Sequence, residues 1–339
     1  MSLSTIVLGG YLGAGKTTLL NHLLRHAQGR GIAVMVNDFG DIGIDVDLIE
    51  STDGEVMNLA GGCICCSVGS DLVAALMAQA QRAPPPDLVL IETSGVALPG
   101  SVARGAGLAP GIEIDGVVVL VDAETIRLRA ADRHVGDTVL QQLAEADLLV
   151  LNKIDLVDPP TLAATRQWLS GIAPRARIIE SLDARVPAEL ILGLSDESAP
   201  RAAQSLLTSS AASSSANPWP AVDRRAGEHR LRPVRGMAAG DRFETLSFRI
   251  AGRLDAQALA AALSDPAQGV LRAKGLVQGP DGEALVIQTV GARSRVSPAA
   301  AALIGAEQSA RLVVIGLRDT LDAGRIGVLL GAARLSLPD

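Results

Sequence analysis

Aromatic side chains are nearly missing: three Phe, two Trp and one Tyr make up 2% of the 339 residues, while 48% of the chain is hydrophobic. A core must therefore be assembled from Leu, Val, Ile and Ala rather than from rings, which suits aliphatic α/β packing. Positive charge is also in deficit. Thirty Lys and Arg against 37 Asp and Glu leave a net charge of -7, so the strong basic patch that a nucleic-acid or anionic-membrane surface requires is not expected. No apolar run approaches the ~20 residues that span a bilayer. The first residues, Met-Ser-Leu-Ser-Thr-Ile-Val-Leu, lack the basic and apolar regions of a secretory leader, and a cytoplasmic protein is expected. Cysteine is scarce too. Cys63, Cys65 and Cys66 fall within four residues, which is useless as a disulfide framework but apt for a metal or redox site in a reducing compartment.

What is abundant is the alternation of buried strands and helices. At ~150 residues per domain the length points to two domains. Apolar, β-rich runs recur at 4–8, 32–36, 88–91, 117–121, 148–151 and 176–179, separated by stretches long enough for helices. Strands apolar on both faces predict a doubly wound, mainly parallel sheet. The first helix should follow Gly15, with Leu19, Leu20, Leu23 and Leu24 inward and Gly29 as its stop. A second should begin near Ser67 and bury Leu72, Leu76 and Met77. Residues 1–195 are thus read as one α/β domain. A Ser-, Ala-, Pro- and Arg-rich range, 196–240, reads as a linker. Residues 241–335 read as a smaller α+β domain, with strands at 244–250, 270–277, 284–290 and 312–316 and helices at 255–263 and 323–330.

Directly after the first strand, Gly10-Tyr11-Leu12-Gly13-Ala14-Gly15-Lys16-Thr17-Thr18 fits G-x-x-x-x-G-K-T in the strand-to-helix setting that this motif needs. Gly10, Gly13, Ala14, Gly15 and Thr18 should supply backbone N–H groups to phosphate oxygens. Lys16 should neutralise the β/γ charge, and Thr17 should offer its hydroxyl to Mg²⁺. A buried strand ending Glu92-Thr93-Ser94-Gly95 should bring a carboxylate near that Mg²⁺ and the Gly95 N–H near the γ-phosphate. Glu92 replaces the commoner Asp, and its longer reach suits water-mediated metal contact or orientation of the attacking water. Asn152-Lys153-Ile154-Asp155 at a strand end indicates guanine: a carboxylate accepts from N1–H and the 2-amino group, which adenine does not provide. GTP is therefore favoured over ATP.

The turn Gly61-Gly62-Cys63-Ile64-Cys65-Cys66-Ser67 should open a helix, whose N-terminus favours thiolates and hence Zn²⁺, Co²⁺ or Cu⁺. A redox switch and inert thiols are the alternatives, and a strained vicinal Cys65–Cys66 bridge weakens the former. Three sulfurs leave zinc one coordination position for water, a carboxylate or a client side chain. Asn37-Asp38-Phe39-Gly40-Asp41 lies where a P-loop GTPase places its first switch, and Asp38 joins Lys16 and Glu92 as a candidate catalytic residue. The γ-phosphate and Mg²⁺ would order this switch and the cysteine turn together. Two other readings are a metal-responsive switch that recruits a partner without transferring metal, and a small-metabolite kinase.

Together these residues resemble the CobW-type GTPases, a family of metallochaperones. The resemblance rests on Gly10 through Asn21, Asn37-Asp38-Phe39-Gly40, Gly62-Cys63-Ile64-Cys65-Cys66, Glu92-Thr93-Ser94-Gly95 with Ala97 and Pro99, Leu151-Asn152-Lys153-Ile154-Asp155, and Leu271-Arg272-Ala273-Lys274-Gly275. It implies slow GTP hydrolysis and delivery of Zn²⁺ or Co²⁺ to a client apo-metalloprotein; the oligomeric state is left open, a homodimer included. Asp38 stands where the family usually has Glu. The histidine-rich stretch of many members is missing, and His22 and His26 read as ordinary surface residues on one helix face.

Overall fold

The computed structural model describes residues 2–27, 29–36, 72–193, 243–299 and 310–333, and the backbone of 55–58, 70–71 and 234–237. The first domain is built on a seven-stranded sheet in which every pairing is parallel. Its strands are β1 (Leu3–Gly10), β2 (Ile32–Val36), β3 (Glu55–Asn58), β4 (Leu88–Glu92), β5 (Ile112–Asp122), β6 (Leu148–Asn152) and β7 (Arg177–Glu180). Their order is β3-β2-β4-β1-β5-β6-β7. The chain winds outward from β1 first towards β3 and then, after β4, towards β7. Such a reversal leaves a crevice at the carboxyl ends of the central strands, where open α/β sheets bind ligands.

Period-2 alternation along β1 sends Val7 to one face and Ile6 and Leu8 to the other. On the first face lie α2 (Ser70–Ala80), α3 (Pro99–Ala106), α5 (Gly136–Ala144) and α6 (Pro159–Ile172), which contribute Leu72, Val102, Leu143 and Leu169. On the second lie α1 (Lys16–Arg25) and α7 (Ala188–Leu192), with Leu19, Leu20 and Leu23 fully buried as the sequence predicts. A short α4 (Ile126–Ala130) follows β5.

The second domain is a six-stranded antiparallel sheet of order β12-β11-β10-β13-β9-β8. It comprises β8 (Val234–Met237), β9 (Phe243–Ile250), β10 (Val270–Gln278), β11 (Ala284–Val290), β12 (Arg293–Pro298) and β13 (Ala310–Leu317). Helices α8 (Ala256–Ser264) and α9 (Ala323–Ala332) pack Leu259, Leu263, Ile326 and Leu330 on Leu246, Phe248 and Leu312. The range read as a linker, 196–240, needs correction at its end: Val234–Met237 is a strand paired with β9. Three strands escaped the sequence reading, β3, β8 and β12. Each lies at a sheet edge, where one side of the ladder faces solvent and the apolar pattern weakens.

The two domains share a core. Phe243, Leu271 and Ile315 of the second sheet join the cluster formed by α1, α7 and the first sheet. Around it runs a belt of opposite charges. Arg293 Nε donates to Asp147 Oδ2 at 2.7 Å, and Arg295 pairs with Glu113. Arg272 lies 4.0 Å from Asp115 and donates to the carbonyls of Leu190 and Ile191. From the other side, Arg177 of β7 donates to Val270 O at 3.1 Å and Ser264 O at 3.0 Å.

Candidate nucleotide site

The phosphate loop joins β1 to α1. Gly10, Gly13 and Gly15 all have positive φ, at 133, 78 and 106°. At Gly15 the requirement is double, because a Cβ would also fall 2.8 Å from the Asn152 amide. Gly15 is the N-cap of α1 and offers no side-chain acceptor, so the first-turn N–H groups of Lys16, Thr17 and Thr18 are presented to an incoming anion. Ala14 N closes the loop on Tyr11 O at 3.1 Å. The Lys16 ammonium folds over it to Gly10 O, 3.0 Å away.

Parallel pairing of β1 with β4 sets Leu8 beside Glu92. This brings the Thr17 hydroxyl to 3.1 Å from Glu92 Oε1, with Glu92 only 3% exposed. Two hard oxygen donors thus meet at the first turn of α1. A hydroxyl and a carboxylate fit Mg²⁺, which prefers oxygen ligands. Thr93 continues the strand with its N–H on Leu8 O at 2.9 Å. Gly95 then passes so close to the phosphate loop that a Cβ would lie 2.5 Å from Leu12 Cδ2 and 2.9 Å from Leu12 N.

Asn152, Lys153 and Asp155 do different things. Asn152 is 2% exposed, and its amide works inside the protein: Nδ2 donates to Ala14 O at 3.0 Å, while Oδ1 accepts from Ser181 Oγ at 3.1 Å and Ala184 N at 2.8 Å. It fastens the phosphate loop to residues 181–184, a loop held with positive φ at Asp183 and Ala184. Lys153, itself at φ 59°, donates to Asp122 Oδ2 at 2.7 Å. Asp155 sits on one 3-10 turn with its side chain exposed.

Sequence reasoning missed Ser181, Ala184, Asp122 and Gln142. Gln142 is 1% exposed and donates to Gly95 O at 3.1 Å and Ala97 O at 2.7 Å; a polar residue between Val139 and Leu143 in a buried stripe was its only signal. His22 also differs from expectation. Its ring lies 4.4 Å from that of His26, is partly buried, and donates from Nε2 to Val186 O at 2.7 Å. Burial pushes its pKa down.

Cys63, Cys65, Cys66 and Asp38 lie outside the described residues, and among the described residues no cluster of three or more His, Cys, Asp or Glu is arranged to hold a metal. No described helix is long and apolar enough to cross a membrane.

Residues 4–180 match the family described as CobW/HypB/UreG, nucleotide-binding domain, and residues 243–334 match the cobalamin synthesis protein cobW C-terminal domain. A Sinorhizobium protein named zinc chaperone CobW is 31% identical over 354 residues, 94% of this chain and 93% of that one. A Pseudomonas aeruginosa protein of the same name is 34% identical over 227 residues, 58% of this chain and 60% of its own length. The zinc-regulated GTPase metalloprotein activator 1 of Schizosaccharomyces pombe is 34% identical over 190 residues, 53% of this chain and 46% of that protein. With both of its domains matched in order, and one relative aligned over nearly its whole length, the chain belongs to the CobW family of CobW/HypB/UreG nucleotide-binding proteins.

Proposed function

We propose that this protein is a GTP-hydrolysing metallochaperone, which carries a transition ion, Zn²⁺ or Co²⁺, on Cys63, Cys65 and Cys66 and passes it to a client apo-metalloprotein under nucleotide control. The observation that carries the nucleotide half is Asn152 fastening the phosphate loop to residues 181–184, so that phosphate and base ends of one site are held in a single rigid frame. The N–H groups of Gly13, Gly15, Lys16, Thr17 and Thr18 bind the phosphates, joined by that of Ala14 once it leaves Tyr11 O. Lys16 leaves Gly10 O for the β/γ oxygens. Thr17 and Glu92 hold Mg²⁺, which when bound offsets the charge developing on the phosphates. Asp155 accepts from the guanine edge, Lys153 flanks the base while tied to Asp122, and Gly95 N–H faces the third phosphate.

The metal half rests on the Cys63-Ile64-Cys65-Cys66 motif and on the names of the relatives. Sheet register supports a link between the halves. Val36, which ends β2, pairs with Glu92 on one side and Asn58 on the other. Asn37 and Asp38 therefore follow directly from the Mg²⁺ edge. Cys63 comes five residues after Asn58 in the sequence. GTP binding would tighten the Asp38 segment and the thiolate turn together, and hydrolysis would release both.

A zinc competition titration against a chromophoric chelator, run with GTPγS and with GDP, tests this. Wild-type affinity should differ about tenfold or more between the two states, and Cys65→Ala or Cys66→Ala should abolish tight binding. Equal zinc affinity in both states would defeat nucleotide control. Retention of the ion when a client is present would favour a recruiting switch instead.

A further inference from the structure

Beyond the phosphate loop and the Thr17–Glu92 pair, one buried polar side chain reaches the segment facing the third phosphate. Residues 93–100 leave β4 and enter α3 with few side chains to hold them. Their backbone is fixed at three points instead. Thr93 is tied to Leu8 O through both its N–H and its hydroxyl, at 2.9 and 3.2 Å. Gly95 O and Ala97 O accept from the two N–H bonds of the Gln142 amide, at 3.1 and 2.7 Å. Gly100 N donates to Glu145 Oε2 at 2.9 Å, one turn further along the same stretch of chain.

We infer that Gln142 is the positioning residue that aims the Gly95 amide at the γ-phosphate, and so sets how well the protein tells GTP from GDP. Three points carry it. Glycine has the widest backbone freedom of any residue, so the Gly95 N–H keeps one direction only where the adjoining Gly95–Val96 peptide is fixed from outside, and it is that peptide's carbonyl that Gln142 holds. Leu12 blocks one side of Gly95, and Gln142 holds the other. Finally, Gln142 is 1% exposed in an otherwise apolar stripe with Val139 and Leu143. A buried amide is costly unless its hydrogen bonds are made, and here both go to this one loop. Gln142 acts through Gly95 and does not itself touch the nucleotide. The inference rests on the GTPase reading above.

The test compares wild type with Gln142→Met, which keeps length and volume but donates nothing, and with Gln142→Glu. Fluorescent GDP and GTPγS binding, single-turnover GTP hydrolysis and thermal midpoints are measured on the full chain. Gln142→Met should leave GDP affinity within about twofold while weakening GTPγS and slowing hydrolysis about tenfold, the scale expected for losing buried hydrogen bonds. Gln142→Glu at neutral pH turns a carboxylate against two carbonyl oxygens and should be worse than Met. Its hydrolysis should partly recover as pH falls and the acid regains one donor. A merely structural glutamine would lower the thermal midpoint of both variants, leave the GTPγS:GDP ratio at the wild-type value and give no acid recovery; that pattern overturns the inference. If Gln142→Met does not fold, the pH profile of Gln142→Glu decides alone. Wild type failing to prefer or hydrolyse GTP would instead overturn the GTPase reading.

Discussion

Arg272 is the residue whose removal the structure makes most informative. It sits inside β10, 5% exposed, between the buried apolar residues Val270, Leu271 and Ala273. Its guanidinium donates to Leu190 O and Ile191 O, stands 4.0 Å from Asp115, and packs so tightly on Gly193 that a Cβ there would lie 2.5 Å from Nη2. Burial lowers its pKa to about 10, with Asp115 pulling the other way, so it stays charged at neutral pH. Arg272→Met keeps most of the side-chain stem and deletes the charge. Asp115 then lies buried with its main counter-charge gone, and two carbonyls lose their donor. Breaking a buried ion pair from one side costs about 3–5 kcal/mol; Arg295 and Ser4 still reach Asp115, which favours the lower end, ~3 kcal/mol. Burial already raises the pKa of Asp115 and Arg272 is the strongest influence opposing that rise, so in the variant it climbs further. Because the folded value then exceeds the unfolded one, the folded state binds the proton more readily. The deficit should be full at neutral pH and shrink as pH falls through the raised pKa. Urea unfolding of wild type, Arg272→Met, Asp115→Asn and the double variant, at pH 5 and 7.5, measures all of this. The double variant should be less destabilised than the sum of the singles by about 1–3 kcal/mol. A loss under 1 kcal/mol for Arg272→Met, or strict additivity, would refute the reasoning.

Four further outcomes are expected. Asn152→Ala unlinks the phosphate loop from residues 181–184 and should weaken GDP and GTP alike by about tenfold or more, since the buried contacts to Ser181 Oγ, Ala184 N and Ala14 O go together; filter binding would expose an error if only GTP suffered. Asp155→Asn replaces an acceptor with a donor, so affinity should pass from guanine to xanthine nucleotides, read by competition with XDP. Gly95→Ala drives a methyl against Leu12 N at 2.9 Å, and hydrolysis should fall about tenfold or more while the fold survives, as checked by circular dichroism. His22 has a pKa depressed mainly by burial, with His26, Arg185 and Arg25 adding to the effect. Its contribution should be present above the unfolded value of ~6.5 and be lost as pH falls through the folded one; His22→Gln should flatten the slope of thermal midpoint between pH 8 and 5, and unchanged slopes would contradict this.

The parts of the site legible in the sequence are those written in consecutive residues. The Gly10-to-Thr18 loop needs its glycines where backbone turns left-handed, and its helix follows at once, so both motif and setting can be read locally. The strand ending at Glu92 and the Asn152-to-Asp155 turn were legible for the same reason. What Asn152 does was not. Its partners Ala14 and Ala184 stand 138 and 32 residues away, and only strand order reveals that its side chain supports the loop. Gln142 went unrecognised because a polar residue within an apolar stripe looks like a break in pattern until its buried partners are seen. The motif residues Leu271 and Arg272 prove to be joint residues: one fills the shared core, the other crosses to α7. Strands β3, β8 and β12 were hidden by short length and edge position, where backbone pairing rather than apolar alternation makes the strand.

Because Phe243, Leu271 and Ile315 are seated in the first domain's core and Arg177, Arg272 and Arg293 clasp across the joint, covalent continuity between Gly193 and Val234 is mechanically dispensable. A protease site engineered into that stretch should yield two fragments that elute together and part only when one of them denatures. The same arrangement makes the molecule a natural candidate for a split reporter, whose halves find each other through an interface already shaped for reunion.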